Sequence, residues 1–446
     1  MRKIMLVVIV LAFSLAVSGQ ISIKPLDIKQ RTLANGLEVV TVQDKSNPVV
    51  TVQVWYRVGG KDDPIGKSGF AHMFEHMMFK STKNMASETL DRLTEDVGGF
   101  NNAFTSDDVT AYFEVVPSNY LETLLWAESD RMVNLTVDEK NFASERDVVK
   151  EEYRQRVEAN PYGMMFQYFD SLTYTVHPYK RGVIGNLEEL SAATRDDAFR
   201  FYQDFYRPDN ASLIVVGDFD QTKLDQWVDK YFNRIKRPTG EIARLSIEEP
   251  EKTEEVRHEK KRPNVSLPAL GITYLIPPTT DSDIPALRVA TAILSDGQSS
   301  RLYQELVYKR QVAQTASMFL DTRVDKGLLA FFGIAAGGKE LEILEKSYYQ
   351  VIKAIQQDGP TASELEKAKN KLITDILQER ETANGKANAI GAAIIYQKDA
   401  TAVNRDVNQL QAVTVEDVKN VLNKYIKENN RVVIYYENQT GDGGGE

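Results

Sequence analysis

Apolar and polar residues alternate strictly along VTVQVWYRV, residues 50–58, with Val50, Val52, Val54, Tyr56 and Val58 on one side. A period of two predicts a half-buried β-strand. TAYFEVV, residues 110–116, predicts a second strand. SLIVVG, residues 212–217, is continuously apolar and predicts a central strand covered on both faces. Between the strands, apolar positions recur at helical spacing. They predict helices over about 68–80, 87–97, 118–133, 138–158 and 221–234.

The pattern lapses over residues 237–263, RPTGEIARLSIEEPEKTEEVRHEKKRP, which is charged, punctuated by proline and poor in aromatics. This segment reads as an interdomain linker between an N-terminal domain, 20–236, and a C-terminal domain, 264–438. A chain of 446 residues exceeds one typical core, so two domains fit its length. The second half repeats the first loosely. ALGITYLIPP at 269–278 resembles the 50–58 strand and its turn, and IPALRVATAIL follows where a helix follows in the first half. NNRVVIYYEN at 429–438 mirrors DNASLIVVGD at 209–218. The plan is that of an ancient duplication. Residues 1–19 combine Arg2 and Lys3 with an apolar run ending in Ser18 and Gly19, and predict a secretory signal. The run is shorter than the roughly 18 residues a membrane span needs, so no stable span is expected once the signal is removed. The expected destination is export, to a periplasm or outside the cell. Residues 439–446 read as a flexible tail.

Net charge is −10, which disfavours nucleic acid and anionic membrane as partners. There is no cysteine, so a disulfide framework, a thiolate metal site and a cysteine nucleophile are excluded. Any metal must be held by His, Asp or Glu.

Two of the four histidines lie in GFAHMFEHMMF, residues 69–79. At about 100° per residue, His72, Glu75 and His76 fall within an arc of about 100° on one helix face. Two imidazoles one turn apart can reach a single cation, and the carboxylate stands beside them. Zinc suits nitrogen and oxygen donors, and its catalytic sites use three protein ligands with one position left for water. A neighbouring glutamate can then act as general base for amide hydrolysis. The flanking Phe70, Met73, Phe74, Met77, Met78 and Phe79 make the helix otherwise apolar, so its histidines need partners.

A third ligand is required, and SERDVVKEEYRQR, residues 144–156, offers it. Glu145 and Glu152 are seven apart and share a helix face to within about 20°, while Glu151 points about 120° away from Glu145. The two span about 10.5 Å, so only one can bind the same ion. Spacing does not choose between them.

H-x-x-E-H is the inverted zinc-protease motif. With GGFNNAFTSDDVTAYFEVVP at 98–117 and ERDVVKEE at 145–152, the chain resembles the pitrilysin/insulinase family of zinc peptidases over Lys29 to Glu437. It is most similar in form to short bacterial members related to the β-subunit of mitochondrial processing peptidase. The resemblance implies an α+β fold of two homologous domains, each a mostly antiparallel mixed sheet packed with helices, in a clam-shell dimer. It implies one Zn2+ per chain held by His72, His76 and Glu152. Glu75 is then the catalytic base and Glu145 an outer residue that orients or shuttles protons. Asn102, Ala103, Phe104 and Thr105 lie on the strand that pairs with an extended peptide substrate. His177, beside Pro178, reads as structural.

The pattern breaks in the second half. The family places an arginine and a tyrosine there, seven apart, after a segment like GQSSRLYQEL at 297–306. Val307 and Gln314 stand at the matching positions, and the nearby Arg301 belongs to the preceding motif. The expected enzyme is therefore an exported zinc endopeptidase subunit whose site is completed by a homologous partner chain carrying Arg and Tyr. A homodimer is the alternative assembly. The rivals are a non-catalytic assembly subunit of the same fold and a zinc-dependent peptide-binding protein.

Overall fold

The computed structural model of the chain describes residues 23–439. The readings of a signal over 1–19 and of a tail beyond 439 lie outside the described residues. β1 (Lys29–Thr32), β2 (Glu38–Gln43), β3 (Val49–Tyr56), β4 (Phe100–Thr105), β5 (Thr110–Pro117) and β6 (Ala211–Gly217) form one sheet, ordered β1-β2-β6-β3-β5-β4. β7 (Val256–Arg262), β8 (Ala269–Ile276), β9 (Ala313–Asp321), β10 (Gly327–Ala335) and β11 (Arg431–Asn438) form the other, ordered β7-β11-β8-β10-β9. Apart from β1, the two orders correspond strand for strand. Each sheet has one parallel pair, β2–β6 or β7–β11, and is otherwise antiparallel. The repeat seen in the sequence is thus a repeat of topology, and the α+β reading holds.

The first half carries α1 (Phe70–Met77), α2 (Thr89–Glu95), α3 (Leu121–Asn134), α4 (Glu139–Tyr153), α5 (Gly163–Thr173), α6 (Leu187–Ala192), α7 (Arg195–Phe205) and α8 (Gln221–Phe232). The second carries α9 (Ile284–Ser295), α10 (Leu341–Asp358), α11 (Ala362–Glu379), α12 (Ala383–Gln397), α13 (Asp406–Ala412) and α14 (Val415–Tyr425). The helix expected over 138–158 keeps α geometry to Tyr153 and continues as a π-turn, Arg154–Glu158. No helix among the described residues is long and apolar enough to cross a membrane.

The half-buried reading of 50–58 requires correction. β3 ends at Tyr56, and its polar Thr51 and Gln53 are as buried as its valines. The second face is covered by α12, from the other half of the chain. Gln53 Nε2 donates to Oδ1 of Asn384 (2.9 Å) and of Asn388 (2.8 Å), so the polar positions face polar partners and not water. Trp55 on the same face packs against Gly391 of α12, where an added Cβ would lie 2.1 Å from the indole. Helix α5 of the first half reciprocally covers the second sheet: Met165 and Phe169 join Ala269, Leu275, Ala330 and Ile434 in one cluster. Each half therefore completes the other's core.

The linker reading of 237–263 also needs correction. Val256–Arg262 is β7, an edge strand pairing in parallel with β11, and its burial alternates between partial and exposed. An edge strand with one wet face needs few apolar residues, so its composition resembles a linker's. Upstream, the carboxylate of Glu249 accepts three successive backbone N–H groups, from Thr175, Val176 and His177, at 2.6–3.0 Å.

The β4–β5 and β9–β10 turns meet where the halves join. The buried Arg323 guanidinium donates to Asp170 and Asp321 at 2.6 Å, and Asp108 accepts from Lys61, Tyr179 and the Val324 N–H. Strand β4 is thereby tied to the second half through charge-assisted bonds.

Candidate metal centre

Helix α1 starts after Gly69, whose φ of 92° lies in the left-handed region that favours glycine. No side chain of the helix caps its first turn. The buried Asp63 does so from the preceding loop, its two oxygens accepting from Gly69 N (2.6 Å) and Ala71 N (2.8 Å). Burial pushes the Asp63 carboxyl up to about 7, against the pull of those two bonds. Phe70, Met73, Phe74 and Met77 are fully buried in the first core, and the Tyr112 hydroxyl donates to Phe74 O at 3.0 Å. That packing fixes the rotation of α1 and leaves His72, Glu75 and His76 on the side away from the core.

Helix α4 faces them. Its N-cap Asp138 accepts from Asn141 N at 2.8 Å, and it buries Phe142, Glu145 and Val149. This i, i+3, i+7 stripe continues to the partly buried Glu152. One Glu152 oxygen, Oε2, lies 3.2 Å from His72 Nε2 and 3.3 Å from His76 Nε2. One donor atom from each of the three residues lies within 4.8 Å of the others. Two nitrogens and an oxygen converging on one point are a donor set that fits zinc.

Three carboxylates surround the rings, and their oxygens are engaged differently. Glu152 turns Oε2 to the imidazoles while Oε1 forms an ion pair with the Arg156 guanidinium, 2.6 Å from Nη1. Glu145 turns Oε2 towards His76 Nδ1 (3.7 Å), and Oε1 pairs with Lys80 Nζ (2.7 Å) and accepts from Ser144 Oγ (3.1 Å). In Glu75, Oε2 accepts from Thr105 Oγ1 (2.6 Å) and lies 3.2 Å from His72 Nδ1. Its Oε1 has no partner among the described residues.

This concentration of negative charge acts on the titration of the rings. Burial disfavours the His72 imidazolium, but bonds to Glu152 and Glu75 outweigh it and raise the ring to about 9. Hydrogen bonds from His72 and His76 hold Glu152 well below the ordinary carboxylate range. Glu75 is also lowered: burial opposes the shift, and bonds from His72 and Thr105 exceed it. The negative charge that favours a proton on His72 would equally favour a bound cation.

The structure brings His72, Glu75, His76, Glu145 and Glu152 together, and places β4 beside them as a sheet edge that pairs, among the described residues, only with β5. Along β4, Ala103 and Thr105 turn towards α1, whereas Phe104 packs edge-on against Trp55 at 5.3 Å. Asn102 Oδ1 accepts from Ala103 N. His177 is buried elsewhere, its Nδ1 accepting from Tyr179 N and its Nε2 3.3 Å from Asp325. Arg301 is engaged by both oxygens of Glu364 at 2.7 Å. Sequence reasoning missed Asp63, Lys80, Arg156 and the hydroxyl role of Thr105. Helical i, i+4 spacing links Arg156 to Glu152 and so could have found it, whereas Lys80 follows α1 and reaches Glu145 of α4, which spacing does not show.

A family model described as Insulinase (Peptidase family M16) matches residues 38–186. One described as Peptidase M16 inactive domain matches residues 192–372. The zinc protease PqqE of Helicobacter pylori is 30% identical over 406 residues, 91% of this chain and 91% of that protein. The β-subunit of the mitochondrial-processing peptidase of Lentinula edodes is 24% identical over 404 residues, 89% of this chain and 86% of that one. The crystal structure of a protease from Helicobacter pylori superposes with a TM-score of 0.89 at 29% identity, covering 93% of this chain and 100% of that one. With two matching family models and near full-length similarity to a zinc protease, this chain belongs to the insulinase (M16) family of peptidases.

Proposed function

We propose that the chain is a zinc-dependent endopeptidase subunit that hydrolyses peptides or unfolded segments. The observation that carries the reading is the meeting of two imidazole Nε2 atoms and one Glu152 oxygen, with the carboxylate of Glu75 alongside. In this reading His72, His76 and Glu152 hold one zinc ion. Bound there, zinc supplies Lewis acidity, polarising a carbonyl and acidifying water.

The protein's own residues supply the rest. An extended peptide adds to the open edge of β4, taking backbone hydrogen bonds from the stretch Asn102 to Thr105 whatever its side chains. Glu75, with one oxygen held by Thr105 and the other without a partner among the described residues, accepts a proton from the attacking water. Hydroxide adds to the scissile carbonyl carbon. Glu75 then returns the proton to the leaving nitrogen as the C–N bond breaks. Glu145, braced by Lys80, orients the His76 ring.

Val307 and Gln314 offer neither the cation nor the phenol that the family resemblance led us to expect. A missing oxyanion donor costs about 10²–10³-fold in rate. We infer that a homologous chain carrying Arg and Tyr completes the site in a clam-shell heterodimer, and that the pair works after export, in a periplasm or outside the cell. Similarity to the β-subunit of a mitochondrial-processing peptidase supports the two-chain arrangement. The test is Glu75→Gln in the presence of the partner. Retained zinc with abolished hydrolysis is expected. Wild-type protein that binds zinc but cleaves nothing with any partner would favour an assembly role for the same fold. Full activity of the isolated chain would remove the partner from the account.

A further inference from the structure

We propose that Arg156 is a positioning residue that restricts Glu152 to a single ligating oxygen and so preserves an open position at the metal. The inference rests on the zinc reading above. A carboxylate free to turn can offer both oxygens to one cation, which adds a ligand and consumes the position a catalytic zinc site keeps free. In this structure the two oxygens of Glu152 are divided. Oε2 faces both imidazole Nε2 atoms, and Oε1 is held by the Arg156 guanidinium at 2.6 Å. An ion pair of that length competes directly with a second metal bond.

Arg156 has little else to do. Its side chain is 73% exposed, and Glu152 is its partner among the described residues. An exposed ion pair of this kind contributes little to stability, so its value lies in where it holds the carboxylate. The same division recurs at Glu145, where Lys80 takes Oε1 and His76 faces Oε2. It is absent at Glu75, whose second oxygen has no partner among the described residues. The two acids assigned to hold the metal and its ligand are each tethered by a lysine or arginine, and the acid assigned to move a proton is not. The tether comes from the π-turn that follows α4, four residues after the ligand.

The experiment replaces zinc with Co2+ and records visible absorption of the wild type, Arg156→Gln and Arg156→Lys, alongside thermal midpoints. Four-coordinate cobalt absorbs several-fold more strongly than five- or six-coordinate cobalt. The wild type is expected to give the intense four-coordinate spectrum. Arg156→Gln is expected to give a several-fold weaker one as Glu152 takes up a second bond, with an unchanged thermal midpoint. Arg156→Lys, which keeps a donor and the charge, is expected to restore the wild-type spectrum. Superimposable wild-type and Arg156→Gln spectra would overturn the inference and leave the zinc reading intact. A wild type that takes up neither cobalt nor zinc would overturn the zinc reading itself.

Discussion

The two halves of the chain build the same sheet and differ in what they place against its open edge. In the first half α1 lies beside β4 with His72, Glu75 and His76 turned outward, and α4 answers with Glu145 and Glu152. In the second half α9 lies beside β9 in the matching place. Its surface over a cavity of about 380 Å3 carries Arg288, Thr291, Ala292 and Ser295, and α11 answers with Leu372. Ser295 Oγ accepts from the Met318 N–H and so occupies part of the β9 edge. The fold therefore tolerates at this position both a cluster of imidazoles and carboxylates and a mixed polar and apolar surface without histidine. The chemistry is a graft on a scaffold stabilised elsewhere, by the exchanged helices α5 and α12 and by the buried cores.

Breaking the graft should leave the scaffold standing, and breaking the scaffold should not. The largest effect is expected from Glu75→Gln. Loss of a general base costs about 10²–10⁴-fold in hydrolysis, with zinc content and thermal midpoint unchanged, as measured by turnover of a fluorogenic peptide and metal analysis. Next is Arg131→Met on α3, which leaves Glu114 and Glu128 buried without their cation. Removing one partner of a buried ion cluster costs about 3–5 kcal/mol, read as a lowered denaturation midpoint. Gly391→Leu forces a side chain into Trp55 and separates α12 from β3. Overpacking of this kind costs about 1–3 kcal/mol, and protease nicking between the halves should rise. Lys80→Met removes the brace on Glu145 and should weaken zinc binding about 10–100-fold in a chelator competition, with Lys80→Arg close to wild type. Ser295→Ala, in the half without the constellation, should cost about 1 kcal/mol of stability and leave peptide hydrolysis unaltered.

What the sequence disclosed follows the range of the interactions involved. His72, Glu75 and His76 share one helical turn, so their convergence was legible from local geometry alone. The choice of Glu152 over Glu145 was not, because both lie on one face of α4. What separates them is the register of α4 against α1, which packing sets. The strand at 50–58 was recognisable, but its second buried face was not. The residues that cover it, Asn384, Asn388 and Gly391, come from the far end of the chain. β7 was hidden for a different reason. VRHEKKR is an edge strand whose partner, β11, lies some 170 residues on, and its charge masked an alternation that burial makes plain. Arg156 stands one turn from Glu152, so its contact was within reach of spacing arguments, whereas Lys80 reaches Glu145 only because α1 and α4 pack together. Thr105 reaches Glu75 only because β4 and α1 lie side by side.

The most direct test of the account is the zinc content of the chain purified without chelator, compared with Glu152→Gln and with His76→Ala. One zinc per wild-type chain, lost or greatly reduced in both variants while each keeps its thermal midpoint within a few degrees, is the predicted result. A wild type without metal, or a Glu152→Gln protein that retains zinc as tightly as the wild type, would contradict it.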